Sequence, residues 1–248
     1  MNKIIKIFNE TKFLLPLVNA KNHCHKLVNI EELIISETEI TCQHLTPEIK
    51  LRLITNKCRL YHENCDELSS IPFKELPYWG FFWPGGQSMT RFILDNPKTV
   101  EGNRVLDFGS GCAAASIACR LKKCKFVLAN DIDETAEVAA KINARLNNVH
   151  IDTSTINLID DSLSDFDVVI FGDVFYDEDF AAQLLPWIKK LVENNKLCFI
   201  GDPGRHALSK ELKLKLKLLA RYQLPENSCI ENHGFNYTNV FKVTGFNV

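Results

Sequence analysis

From residue 104 onward the chain alternates between two patterns. Short apolar runs at 104–108, 126–130, 151–156, 167–171 and 196–200 read as strands, and the segments 113–121, 135–146 and 180–192 between them read as helices. Strand–helix alternation of this kind folds into a parallel sheet with helices on both faces. A further helix is expected at 209–220. Two closing strands, 224–230 and 239–245, have no helix between them and imply an antiparallel hairpin at one sheet edge. The expected fold is therefore α/β: a doubly wound, mostly parallel, seven-stranded Rossmann-like sheet with an antiparallel C-terminal hairpin.

The region before residue 104 is different. Thr46-Pro47-Glu48 has the order of a helix start, with a capping hydroxyl, proline at the first helical position and an acid in the first turn. A helix through Ile49, Leu51, Leu53 and Ile54 is expected from it. Residues 77–87 interleave five aromatics with glycine and proline, which fits neither a regular strand nor a regular helix; a helix resumes at Ser88 and runs to about Leu94. Residues 1–26 carry Lys3, Lys6, Lys12, Lys21 and Lys26 against Glu10 alone, with interspersed isoleucine and leucine. A basic amphipathic start of this kind resembles an import presequence, although the usual arginines and serines are missing. These readings divide the 248 residues into a basic extension (1–36), a helical and aromatic lead-in covering the ligand (37–100) and the sheet domain (101–248).

Composition narrows the function classes. The net charge of −2 gives no global argument for binding a polyanion, so nucleic acid is not expected as a partner. No apolar stretch is long enough for a membrane span. Nine cysteines without a CxxC pair argue against a closed zinc site, and no metal is expected. Their odd number suits free thiols in a reducing compartment.

Gly109-Ser110-Gly111 lies between the first strand of the sheet and its helix. Glycine permits a tight turn and close approach of a ligand, and the helix start offers free N–H groups and partial positive charge. The spelling fits two ligands. Gly109-x-Gly111-x-x-Ala114 matches a dinucleotide fingerprint, and Asp107-x-Gly109-x-Gly111 matches an S-adenosylmethionine site. Asp131 follows Gly111 by twenty residues, at the end of the next strand, where a carboxylate accepts hydrogen bonds from ribose hydroxyls; Asp133 is the alternative. Asp107 either ties down the turn or meets a ligand amine. Cys112, inside the turn, is a candidate reactive thiol or a small filler.

The run Val168-Val169-Ile170-Phe171-Gly172 ends in Asp173-Val174-Phe175-Tyr176. Ligands in such sheets bind outside the carboxyl ends of strands, so an acid and an aromatic are delivered where chemistry occurs. A carboxylate and aromatic faces suit a cation or an amine. Methyl transfer to lysine requires the neutral amine, and with a lysine pKa of about 10.4 neutralisation costs roughly 4–5 kcal/mol at pH 7. A carboxylate beside the amine holds its proton more tightly. Asp173 is accordingly assigned an orienting role rather than that of a strong base.

The segments Asp107-Phe108-Gly109-Ser110-Gly111, Asn130-Asp131-Ile132-Asp133 and Gly172-Asp173-Val174-Phe175-Tyr176 resemble the seven-β-strand methyltransferases with a D-x-x-Y motif, mostly protein-lysine methyltransferases. Trp83-Pro84-Gly85-Gly86-Gln87 and Gly201-Asp202-Pro203-Gly204-Arg205, with Leu45-Thr46-Pro47-Glu48-Ile49, resemble the branch that methylates the electron transfer flavoprotein β subunit. The resemblance spans roughly residue 37 to the C-terminus. It implies S-adenosyl-L-methionine as cofactor, lysine side chains of that subunit as substrate, and the mitochondrial matrix as location, with the cytoplasm as the alternative. It also implies cofactor roles for Trp83, Asp107, Gly109, Gly111, Asp131, Asn157 (at the adenine edge) and Gly172. Asp173 and Tyr176 are implied to face the target lysine as catalytic residues, with Asp202 and Arg205 shaping the entrance. Ala113 stands where the family usually has a third glycine, a change expected to alter cofactor affinity at most. Two other readings remain: an adenosylmethionine enzyme for another protein or a small amine, and a nicotinamide-dependent oxidoreductase.

Overall fold

In the computed structural model the described residues are 29–62, 72–226 and 234–245. The basic start and the presequence reading placed on it lie outside them. Ahead of the main sheet come helix α1 (Ile30–Glu37), strands β1 (Glu39–Thr41) and β2 (Leu51–Leu53), the short helix α2 (Arg59–His62) and helix α3 (Pro84–Asp95). The main sheet follows with β3 (Arg104–Phe108), α4 (Ala114–Leu121), β4 (Phe126–Asn130), α5 (Glu134–Leu146), β5 (Asp152–Ser154), β6 (Val168–Gly172), α6 (Glu178–Glu193) and β7 (Leu197–Asp202). Helix α7 (Lys210–Lys213) and strands β8 (Leu216–Gln223) and β9 (Tyr237–Val243) close the chain.

The seven strands lie in the order β5-β4-β3-β6-β7-β9-β8. Strands β3 to β7 pair in parallel, while β9 runs antiparallel to both β7 and β8. Successive residues of each central strand enter opposite layers, which is why these strands are continuously apolar. Val105 and Ile170 pack with Met89, Phe92 and Ile93 of α3 and Ile117 of α4. Leu106 and Phe171 pack on the other face with Leu184, Trp187, Ile188 and Leu191 of α6. From β3 the chain moves outward to β4 and β5, then crosses back to β6 on the other side. The strand order reverses between β3 and β6, and their carboxyl ends open a crevice there.

The alternation-based fold is the one observed, with four local differences. The segment expected as a helix from Thr46 instead makes a turn and then β2, with Leu51 and Leu53 buried and Arg52 between them half-buried, donating to the Ile35 and Thr38 carbonyls. The helix expected at 209–220 is only α7, and most of the segment is β8. Lys213, Leu214, Lys215, Leu216, Lys217 and Leu218 alternate with period two, the strand period. The strand placed at 224–230 is absent over 224–226, and 227–230 lie outside the described residues. Helix α3 begins four residues earlier than Ser88, with Pro84 at its first position.

Candidate active site

A cleft open to solvent lies at the strand-order reversal. It is lined by Phe81, Phe82, Trp83 and Gly86 from the lead-in, Asp107 to Cys112 at the β3 turn except Phe108, Ala114 and Ala115 of α4, and Gly172 of β6. The sequence-derived residues Trp83, Asp107, Gly109, Gly111 and Gly172 therefore share one cavity.

The β3–α4 turn requires left-handed backbone at Gly109 (φ 66°) and Gly111 (φ 49°). Ala113 is left-handed too (φ 59°), so its departure from glycine introduces backbone strain rather than only a methyl group. Asp131 organises this turn. Its Oδ2 accepts from the Gly111 N–H at 2.9 Å and its Oδ1 from the Asp133 N–H at 3.1 Å. Burial raises its pKa above the usual carboxylate range. Asp133 itself caps α5, accepting from the Thr135 N–H at 2.7 Å. Asp107 ties the end of β3 to α4 through one oxygen. Its Oδ2 accepts from Ser116 N–H (3.0 Å) and Ser116 Oγ–H (2.6 Å), and burial lifts its pKa to about 6. Cys112 is buried with its pKa pushed up to about 12, so it is an inert filler.

Asp173 is placed differently from the expectation. It is left-handed (φ 65°) and its side chain is 1% exposed. Oδ2 accepts from the Gly85 N–H at 2.7 Å, capping α3 from a distance, since the Trp83 side chain at the cap position makes no hydrogen bond to the first turn of the helix. Oδ1 accepts from Arg205 Nε at 2.7 Å. With both oxygens engaged, Asp173 anchors α3 and Arg205 and does not face an incoming amine. Asn157 also departs from its assigned place. It is exposed, its Oδ1 accepts from the Ile159 N–H at 3.0 Å, and it does not line the cleft.

Tyr176 continues an aromatic wall. It stacks on Tyr78 (6.2 Å, 17°) and Phe180 (6.0 Å, 26°), and Tyr78 lies beside Trp83 (6.4 Å). Burial pushes the Tyr176 phenol well above its ordinary pKa, so it stays protonated. Trp83 is oriented by its indole N–H, which donates to the Tyr78 carbonyl at 3.0 Å.

Sequence reasoning missed three contributors. Asn130 donates to the carbonyls of Ser154 and Ile156 and fixes the loop after β5. Ile132 (69% exposed) and Ile156 (67%) stand uncovered after β4 and β5, near Asp131. Exposed isoleucines beside a candidate-site carboxylate are a signal once burial is known, and only then. Asn143 donates to the Cys112 carbonyl at 3.0 Å and accepts from the Arg52 N–H at 2.7 Å, coupling the β3 turn to β2.

A seven-stranded sheet of this order with a glycine cleft at its reversal defines the Rossmann-like methyltransferase class. Comparison with known proteins agrees. The family model of ribosomal protein L11 methyltransferase (PrmA) matches residues 88–195. A putative SAM-dependent methyltransferase from Streptococcus mutans superposes with a TM-score of 0.55 at 14% identity, covering 84% of this chain and 55% of that one. A putative RNA methyltransferase from Pyrococcus horikoshii gives 0.50 at 15% identity, covering 72% and 94%. The electron transfer flavoprotein beta subunit lysine methyltransferase of Xenopus laevis is 41% identical over 211 residues, 84% of each chain. The human protein of that name is 39% identical over 216 residues, covering 86% of this chain and 81% of its own, and the Caenorhabditis elegans homolog is 37% identical over 232, covering 84% and 93%. The chain belongs to the electron transfer flavoprotein β-subunit lysine methyltransferase family.

Proposed function

We propose that this protein is an S-adenosyl-L-methionine-dependent lysine N-methyltransferase whose substrate is the β subunit of electron transfer flavoprotein. The observation that carries the reading is that the Gly109–Gly111 turn, held by Asp131, shares one cleft with Trp83 and Gly172. When bound, S-adenosylmethionine supplies an electrophilic methyl group on a sulfonium. The residues present fit it. Gly109 and Gly111 let backbone approach a ligand, and Asp131 retains lone pairs for ribose hydroxyls. A side chain at Gly172 would come within 3.2 Å of Gly86 Cα and crowd the cleft wall. Trp83 presents an aromatic face that suits a cationic ligand or amine, and Tyr176 extends the aromatic wall beside it. Asp107 lines the cleft with a carboxyl available to a ligand amine. Asp173 acts on the target lysine at one remove, by holding α3 and Arg205 in place. Neither side chain offers a strong base, so the amine's proton leaves to solvent. A basic start favours a mitochondrial location.

Labelled S-adenosylmethionine with purified electron transfer flavoprotein tests this. Label on lysines of its β subunit is expected; label on another protein, a small amine or nucleic acid would overturn the substrate. Binding of NAD in place of S-adenosylmethionine would overturn the cofactor.

A further inference from the structure

Arg205 has donors that the protein does not use. Its side chain is 10% exposed, and its Nε donates to Asp173. Its main-chain N–H donates to Asp202 Oδ1 at 2.8 Å. Among the described residues neither Nη1 nor Nη2 has a hydrogen-bond acceptor. A buried acceptor lies nearby, because Asp202 Oδ2 is buried without a partner, yet the fork does not turn to it. The guanidinium is held in position instead. Its central carbon lies 5.9 Å from the ring centre of Trp83, a wall of the cleft, and 5.4 Å from that of Phe235. Three segments of chain therefore immobilise a planar cation whose outer two nitrogens remain unspent. Such a fork matches a carboxylate, which accepts two parallel N–H bonds. The rotamer entropy that an exposed arginine loses on binding is already spent here.

We propose that Arg205 is a carboxylate-binding residue at the end of the cleft beside Trp83, its Nη1 and Nη2 receiving the two oxygens. The inference rests on the proposed methyl transfer, which supplies two carboxylates: that of the methionine end of the cofactor, and an acidic side chain of the protein substrate beside the target lysine.

Two arms separate them. S-adenosylhomocysteine and its decarboxylated analogue are titrated into the wild type, Arg205→Gln and Arg205→Lys, with folding of each checked by its melting transition. Arg205→Lys keeps a cation for Asp173 but lacks the fork, so it reports even if Arg205→Gln does not fold. If the carboxylate is the cofactor's, the wild type favours the carboxylated ligand at least tenfold and the variants lose that preference. If it is the substrate's, ligand affinities stay unchanged in the variants, KM for the flavoprotein rises at least tenfold and kcat stays within twofold. Variants that keep both the ligand preference and the KM, or that lose kcat alone, overturn the inference. A wild type that binds neither adenosyl ligand overturns the proposed function itself.

Discussion

The Asp131 carboxylate accepts one N–H from Gly111 in the β3–α4 turn and one from Asp133 in its own loop. Asp131→Asn would set an amide N–H against one of these donors and remove the charge. A hydrogen bond to a charged group is worth about 1.5–3 kcal/mol, so a roughly 10- to 100-fold loss of S-adenosylmethionine affinity is expected by titration calorimetry. Retained wild-type affinity would remove Asp131 from the ligand site. Asp173→Ala has a different signature. It leaves the Arg205 cation and the Gly85 N–H buried without their acceptor and keeps a non-glycine residue at φ 65°. Breaking a buried pair costs about 3–5 kcal/mol, so its urea midpoint should fall sharply along with its activity. An Asp173→Ala variant of wild-type stability but no activity would return Asp173 to a direct role. The link from Asp131 to the glycine turn was legible because strand end, turn and spacing sit together in sequence. The partners of Asp173 were not, because they lie 32 and 88 residues away and meet only after the sheet forms.

Strands β6 and β7 meet the start of α3 with almost no space between them. A Cβ on Gly201 would fall on the Gly85 carbonyl, and one on Gly85 would fall on the Gly201 carbonyl and within 2.6 Å of the Asp173 nitrogen. Only paired glycines let this helix end approach the sheet, where Asp173 caps it. Both obstacles are backbone, so relief requires moving a helix. Overpacking costs typically about 1–3 kcal/mol and more where nothing yields. Gly201→Ala should therefore lower stability by about 3 kcal/mol or more in chemical denaturation. Gly86→Ala meets only the Phe82 ring at 3.5 Å and should leave stability unchanged or raised by helix propensity, about 1 kcal/mol. Equal effects at the two positions would refute the close approach. The elements themselves were readable where they are central and buried on both faces, as in β3, β4, β6 and β7. They were misread at the margins. Leucine and lysine favour helices by intrinsic propensity, yet in β8 the antiparallel partner β9 supplies the backbone bonds that decide the outcome. Thr46-Pro47-Glu48 similarly has the order of a helix start, but burial of Leu51 and Leu53 against the α3 layer selects a strand.

Across the whole molecule, pH-dependent stability follows from buried acids around the site. Asp202 has one oxygen held by the N–H groups of Gly204 (2.6 Å) and Arg205 and the other unsatisfied among the described residues, and it faces the Asp173–Arg205 pair. Burial and then Asp173 raise its pKa to about 7, while Asp107 stands at about 6. For an acid with a raised folded pKa, the native state binds the extra proton. Stability is therefore fully present below the unfolded value near 3.8 and declines as pH rises through the folded one. His44 works the other way. Burial lowers its pKa to about 4, so its contribution grows as pH rises from about 4 to 6.5 and is constant above. The two trends oppose each other in mild acid, and near neutrality Asp202 stands alone. Asp202→Asn keeps the acceptor for Gly204 and Arg205, replaces the unsatisfied oxygen with a neutral group and removes the titration. Leaving a buried polar atom unpaired costs about 1–3 kcal/mol, more for a charge. The variant should accordingly gain roughly that range at pH 8 and lose the wild type's decline between pH 6 and 8. Urea midpoints at pH 6, 7 and 8 for both proteins measure it. A variant less stable than the wild type at pH 8 would mean that the Asp202 charge holds Arg205 in place, and that the native state keeps the carboxylate ionised.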